Sequence, residues 1–301
     1  MIITNNNISN YLLILILVIL TFGCISTDIT NDKPQGQKIS VMTYNLRYDN
    51  PGDSLNSWEY RKGRLVNLIK FYSPDFLGIQ EGLHHQVQYL ESHLPQMNFI
   101  GVGRKDGKKK GEYSAIFYNK KSFHLVSNTD STIWLSETPQ KPSKGWDAAL
   151  PRILTWAEFC SKKTGNKIFA FNTHYDHKGK KARKKSSKLI SETIKNITKT
   201  HPAVLTGDFN VTEDQEAYKI ITDSFLKDAW HASEIDPIGP KFTFTGFEVS
   251  DFVNRTHGGR IDYIFVSSNL KVKKIGAISS FSDGVFLSDH IPVYSEIYVE
   301  L

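Results

Sequence analysis

Apolar and polar positions follow two rhythms along this chain. Ile39 to Leu46 is an apolar, β-prone run that predicts a first strand. Trp58 to Tyr72 carries Leu65, Leu68, Ile69 and Tyr72 at helical spacing, and Pro74 stops it. Phe76 to Gln80 predicts a short buried strand ending at Glu81, and Val87, Leu90 and Leu94 mark a second helix closed by Pro95. This β-α-β-α alternation favours an α/β sheet. Strands then crowd together: Tyr113 to Tyr118, Phe123 to Val126, Thr132 to Leu135, Ile153 to Cys160, and Lys167 to Thr173. The last two flank Lys162-Lys163-Thr164-Gly165-Asn166, a hairpin-like connection. Lys180 to Lys199 predicts a helix with Leu189, Ile190, Ile194 and Ile197 inward and a strongly basic outer face. Ala203-Val204-Leu205 leads a buried strand into Asp208, a shorter helix lies around Glu213 to Ile221, and Arg260 to Val266 and Ile291 to Val299 supply late strands. Two packed mixed sheets with helices outside accommodate this order.

The N-terminus stands apart. Tyr11 to Leu20 is a continuous apolar run, followed by Thr21-Phe22-Gly23-Cys24. The run is short for a membrane span, which needs about 20 residues, and fits the core of a secretory signal. Gly23-Cys24 resembles a bacterial lipobox, which implies cleavage after residue 23 and lipidation of Cys24. Residues 24–38 read as a polar tether, with Pro34 and Gly36, and 39–301 as the catalytic domain. The expected location is the cell envelope, lipid-anchored on the periplasmic or outer surface, with plain secretion as the alternative. Of the two cysteines, Cys160 is then left without an intramolecular partner and is expected as a buried strand thiol; no disulfide framework and no Cys/His zinc cluster can be assembled.

The formal charge of +6 on 301 residues favours anionic partners without choosing among phosphate esters, nucleic acid and lipid. Chemistry concentrates at strand ends. Asp208 and Asn210 lie two residues apart in Gly207-Asp208-Phe209-Asn210, where strand geometry would point them the same way. Asn45, Glu81 and Asp289 occupy comparable positions. Carboxylates and carboxamides without cysteine are hard oxygen ligands suited to Mg²⁺ or Mn²⁺. Asp262 lies inside the apolar strand Ile261 to Val266, where a carboxylate needs a partner. An imidazole such as His290 would serve, with its tautomer fixed and its pKa raised. His174 lies between strand residues and a basic loop, within reach of a phosphate.

The ordered clusters Met42-Thr43-Tyr44-Asn45, Ile79-Gln80-Glu81, Asn172-Thr173-His174, Gly207-Asp208-Phe209-Asn210, Arg260-Ile261-Asp262-Tyr263 and Ser288-Asp289-His290 resemble the endonuclease/exonuclease/phosphatase superfamily, the group of DNase I. The resemblance runs from Ile39 to the C-terminus. It implies a four-layer α/β sandwich and divalent-metal phosphoester hydrolysis. Carried over by motif, Asn45, Glu81 and Asp289 would hold the metal. Asp208 would position or deprotonate the water, assisted by Asn210. His290, oriented by Asp262, would contact the phosphate, and His174 would donate to a non-bridging oxygen. Asp49 to Asp53, Gly101 to Arg104, Gly111 to Ser114, Trp134 to Ser136 and Gly145 to Ala149 look closer to a bacterial subgroup than to the nucleases. Tyr113 would contact phosphate, and Arg152, paired with Asp147 or free, would hold substrate with Trp146 and Asp147. The expected activity is hydrolysis of phosphodiesters by a monomer acting on a small phosphodiester, a phospholipid head group or nucleic acid. An extracellular nuclease is the alternative. A non-catalytic module for anionic ligands is the alternative from another class, which chemically competent residues in all six clusters disfavour.

Overall fold

The computed structural model describes residues 36–248, 258–279, 281–282 and 285–300. The signal-like run and Cys24 lie outside the described residues.

Two mixed sheets face each other. The first runs in the order β12-β15-β1-β2-β4-β3. Here β1 is Gly36–Asn45, β2 Phe76–Gln80, β3 Met97–Ile100, β4 Ile116–Asn119, β12 Leu270–Ala277 and β15 Val293–Glu300. The second runs in the order β10-β11-β9-β8-β7-β5, with β6 also pairing β7. Its strands are β5 Phe123–Leu125, β6 Ser131–Trp134, β7 Ile153–Ser161, β8 Lys167–His174, β9 Ala203–Asp208, β10 Leu226–Asp228 and β11 Asp262–Ser267. A short β13–β14 pair, Phe281–Ser282 with Val285–Phe286, precedes β15. Two helices, α1 (Trp58–Tyr72) and α2 (His84–His93), bury Leu65, Ile69, Val87 and Leu90 against Met42, Tyr44, Leu77 and Phe117 of the first sheet. On the other side α3 (Lys180–Thr198) and α4 (Glu216–Thr222) bury Ile190, Ile194, Tyr218 and Ile221 against Phe171, Leu205 and Phe265 of the second. The one-turn α5, Ala229–Ala232, follows β10. The layers are therefore helix, sheet, sheet, helix. Each fully buried Leu, Ile or Phe contributes about 1.5–3 kcal/mol.

The core between the sheets follows from strand parity. Side chains alternate faces along a strand. Ile39 and Val41 of β1, Phe76 of β2, Ile168 and Ala170 of β8, Val204 of β9, and Val266 and Ile264 of β11 share one inter-sheet core. Two residues further along the same faces come Thr43 and Asn45, Gly78 and Gln80, Asn172 and His174, Thr206 and Asp208, and Asp262. The interior thus passes from hydrocarbon to polar groups at one end of the sandwich.

Some boundaries differ from the sequence reading. The first strand begins at Gly36, because Gly36 to Lys38 pair with Glu300 to Tyr298. The run at Tyr113 becomes regular strand only at Ile116; Tyr113 itself makes isolated bridges to Gly82 and Gly103. The helix expected from Glu213 starts at Glu216. Cys160 lies in β7 but is only half-buried, its thiol donating to the Gly165 carbonyl at 3.3 Å.

Candidate active site

The polar strand ends meet in a cleft of about 530 Å³ whose walls include Glu81, His174, Asp208, Asn210, Asp289 and His290. Register builds its floor. His174 on β8 and Asp262 on β11 both sit directly opposite Asp208 on β9. From the other sheet, Asn45 Nδ2 donates to Asp208 Oδ2 at 3.0 Å and to Glu81 Oε1 at 3.1 Å. Glu81 leaves its strand with φ +64°, a left-handed conformation costing roughly 1–2 kcal/mol for a residue with a Cβ. The turn aims its carboxylate back, where Oε2 accepts from the Tyr48 backbone N–H at 3.1 Å. Asn210 is also left-handed, at φ +49°; its backbone N–H binds Asp208 Oδ1 at 2.9 Å.

Asp208 lies between two imidazoles. His290 Nδ1 donates to Asp262 Oδ2 at 2.8 Å, leaving Nε2 3.7 Å from Asp208 Oδ2. His174 Nε2 is 3.4 Å from the same oxygen and accepts from Asn210 Nδ2 at 3.2 Å. The two rings differ in charge. Burial alone would lower the His290 pKa, but the Asp262 and Asp208 charges and the bond to Asp262 carry it well above 6.5. Burial, reinforced by Arg152 and Arg104, holds His174 well below that value. These surroundings favour the protonated form of His290, whose Nε2 faces Asp208 and Asn45 Nδ2, and the neutral form of His174. Burial, then the charge of Asp262, lifts Asp208 to about 7. That value suits a group that takes a proton from water near neutrality.

Beneath this row lies a buried lock between the sheets. Asn172 Nδ2 donates to the carbonyls of Ile79 and Ala115 at 2.8 and 2.9 Å. Asn172 Oδ1 accepts from Gln80 Nε2 at 2.7 Å and Thr206 Oγ1 at 3.1 Å. Gly78 lets the sheets close over it: a Cβ there would fall inside contact distance of Thr206 Oγ1 and 2.7 Å from Asn172 Oδ1. Arg61, fully buried, donates to the carbonyls of Leu46, Arg47, Asn56 and Leu287. It thereby ties the exit of β1 to the segment carrying Ser288, Asp289 and His290.

The donor set fits a hard divalent cation. One ligand atom each from Glu81, His174 and Asp208 lie within 4.8 Å of one another, as do those of Asp208, Asp262 and His290. Crowding of these carboxylates drives Asp208 and Asp289 upward, burial being the larger cause in both, and a cation beside them would relieve it. Asn45 presents Nδ2 to the carboxylates while Oδ1 accepts from Arg47 N, so ligation through Oδ1 requires its amide to turn over. Asp289 shares the cleft, with Oδ2 3.6 Å from Arg47 Nη1.

Four predicted substrate contacts fare differently. Arg152 lines the cleft but pairs with Asp176, at 3.5 Å, rather than Asp147. Asp147 instead accepts from the backbone N–H groups of Lys181 and Ala182 and caps the start of α3. Trp146 sits beside it in a left-handed turn and is not among the cleft-lining residues. Tyr113 is also outside that lining: its hydroxyl donates to the Lys108 carbonyl at 2.9 Å and lies 3.0 Å from His84 Nδ1. Sequence reasoning missed Arg47, Glu112 and His177, and gave Arg104 no role, yet all four line the cleft. A larger hollow of about 670 Å³ lies at the opposite end of β9, but its Glu192, Lys195, His201 and Asp223 are all exposed and read as solvated surface.

Known proteins share this fold. An endonuclease/exonuclease/phosphatase from Bacteroides vulgatus is 42% identical, with 88% of this chain and 100% of that one covered at a TM-score of 0.83. A mannosyl-6-phosphatase from Bacteroides thetaiotaomicron VPI-5482 is 39% identical, with 86% and 99% covered at a TM-score of 0.80. The uncharacterized protein L388 of Acanthamoeba polyphaga mimivirus is 27% identical over 252 residues, 80% of this chain and 92% of that protein. The family pattern spans residues 42–290, taking in every cluster from Asn45 to His290, and the chain belongs to the endonuclease/exonuclease/phosphatase family.

Proposed function

We propose that this chain hydrolyses phosphoester bonds of small phosphorylated molecules, using a divalent cation, Mg²⁺ or Mn²⁺. The observation that carries the reading is the buried Asp208, set between a neutral His174 and a His290 imidazolium that Asp262 holds in place. A water oxygen bonds to phosphorus, its proton passes to Asp208, and the ester P–O bond breaks with the leaving oxygen taking up a proton. His290 Nε2–H steadies the charge on the phosphoryl oxygens, and Asn210 fixes the His174 ring. Glu81, with Asn45 and Asp289, would hold the cation, which when bound neutralises phosphate charge and makes the water more acidic.

A cleft of about 530 Å³ flanked by buried arginines supports a small substrate. The 39% identical mannosyl-6-phosphatase makes sugar phosphates the first natural compounds to try. Turnover of bis-p-nitrophenyl phosphate and p-nitrophenyl phosphate with Mg²⁺, Mn²⁺ or EDTA tests the reading. Asp208→Ala and His290→Ala should each reduce it by about 10²–10⁴-fold without unfolding the protein; full activity in both would refute the site.

A nuclease is the second reading, favoured by Lys178, Lys180, Lys181 and Lys185, all exposed at the start of α3. Strong competition by DNA or RNA against the small esters would support it. The run Tyr11 to Cys24 supports a proposed lipid anchor. Cys24→Ser should then release the protein from the membrane fraction.

A further inference from the structure

One wall of the cleft holds buried guanidinium N–H groups that its own carboxylates leave unpaired. Arg104 and Arg152 are each only 4% exposed, yet both line the cleft. Arg104 pairs through Nη2 with Glu112, while its buried Nε has no hydrogen-bond partner among the described residues. Trp134 Nε1 donates to the Arg104 carbonyl at 2.7 Å and fixes that backbone. Arg152 is less well matched. Its buried Nη1 has no hydrogen-bond partner among the described residues. Its carboxylate neighbour, Asp176, is 3.5 Å from Nε and is already engaged by the N–H groups of Leu150, Lys178 and Gly179. Arg152 Nη2 donates to His177 Nδ1 at 3.1 Å, so a neutral His177 carries its proton on Nε2, an additional donor at the cleft rim. Burying guanidinium N–H groups unpaired is unfavourable unless an acceptor arrives with the ligand.

The wall stands next to the reacting centre. His174 lies 3.4 Å from Asp208 on one side and 3.9 Å from Glu112, the partner of Arg104, on the other. A phosphoryl group attacked by a water on Asp208 would share the cleft with Arg104 and Arg152. A phosphodiester carries one negative charge there; a phosphomonoester carries nearly two at neutral pH. We propose that Arg104, Arg152 and His177 form a subsite for the dianionic phosphate of a monoester, making this protein selective for phosphomonoesters over diesters. This rests on the phosphoester-hydrolase reading and names its substrate class.

The test is calorimetric titration of the full chain, in Mg²⁺ at about pH 8, with orthophosphate and with dimethyl phosphate. Orthophosphate should bind at least about tenfold more tightly. Arg152→Gln and Arg104→Gln should each weaken orthophosphate by about ten- to hundredfold, as expected for a charge-assisted hydrogen bond, and weaken the singly charged dimethyl phosphate clearly less. Arg152→Lys, which keeps the charge and loses the fork, should recover part of the difference and replaces Arg152→Gln should that variant not fold. Equal weakening of both ligands, or equal affinity in the unaltered protein, would overturn the subsite. Kinetics form the second arm: kcat/KM should fall at least about tenfold further for p-nitrophenyl phosphate than for the diester in both variants, and an equal fall for the two would overturn the subsite. Failure of the unaltered protein to turn over either ester would refute the hydrolase reading alone, because the titration still decides the subsite.

Discussion

Replacing Asn172 by Ala removes the lock beneath the site and should be among the most damaging single changes outside the hydrocarbon core. Four hydrogen bonds disappear together. At about 0.5–1.5 kcal/mol net for each, the sum is roughly 2–6 kcal/mol. The lower half of that range applies, because several partners keep other bonds. Gln80 Nε2 retains Thr43 Oγ1 at 3.1 Å, Thr206 Oγ1 retains the Phe171 carbonyl at 3.1 Å, and the Ala115 carbonyl retains Ile79 N at 2.9 Å. A loss of about 3 kcal/mol corresponds to a fall in Tm of about 6–12 °C for a domain of this size. Urea unfolding and thermal scans measure it directly. Asn172→Asp sharpens the test. It keeps an acceptor for Gln80 but turns a carboxylate toward the Ile79 and Ala115 carbonyls, so it should be no more stable than the Ala variant. A loss below about 1 kcal/mol for Ala, or a wild-type melt for Asp, would refute the inter-sheet lock.

Further expectations follow from the same geometry. Asp262→Asn removes the charge that holds His290 protonated and should lower kcat by about 10²–10⁴-fold with little change in Tm, checked by kinetics beside a melt. Gly78→Ala forces a methyl group against Thr206 and Asn172 and should destabilise by about 1–3 kcal/mol in urea. EDTA should abolish turnover, and Mg²⁺ or Mn²⁺ should restore it where Ca²⁺ does so poorly, Ca²⁺ preferring longer bonds and more ligands. Asp53 has its pKa lowered by its hydrogen bond to Arg47, against the opposing effect of burial. Its contribution to stability is thus present above the unfolded carboxylate value of about 3.9 and lost as pH falls through the lower folded value. Asp53→Asn should be less stable than wild type at pH 7, and the gap should close below about pH 4 in acid melts.

Much of this architecture could be read from residue order. Apolar, β-prone runs mark β1 and β8, and the apolar-to-polar change at Val41–Asn45 and Val204–Asp208 places chemistry at strand ends. Other features depend on chain crossings that no local pattern records. β12 was passed over because Lys271, Lys273 and Lys274 break its apolar run, and a register shift between Val272 and Lys274 disturbs its alternation. Arg104 and Glu112 are loop residues between β3 and β4, and only the fold shows that they pair and that Glu112 comes within 3.9 Å of His174. Asp147 was misread for the opposite reason. A carboxylate beside a tryptophan suggests a ligand contact, yet here it satisfies the first free N–H groups of α3, a role set by a helix more than 30 residues away. Arg47 gave no signal because its part depends on a left-handed turn, φ +58°, that lays it between Asp53 and Asp289.

The order of the strands sets a timetable for the reaction centre. The first sheet opens with β1 to β4 and is completed only by β12 and β15, while the second sheet is made from the intervening chain. β15 is not an edge strand; it lies between β1 and β12 and pairs with both. Asp289 and His290 immediately precede it. His290 and Asp289 therefore take their places opposite Asp208 only when β15 has inserted between β1 and β12. Closure of the first sheet and completion of the cleft are one event, so loosening β15 should empty the site before it melts the rest of the sandwich.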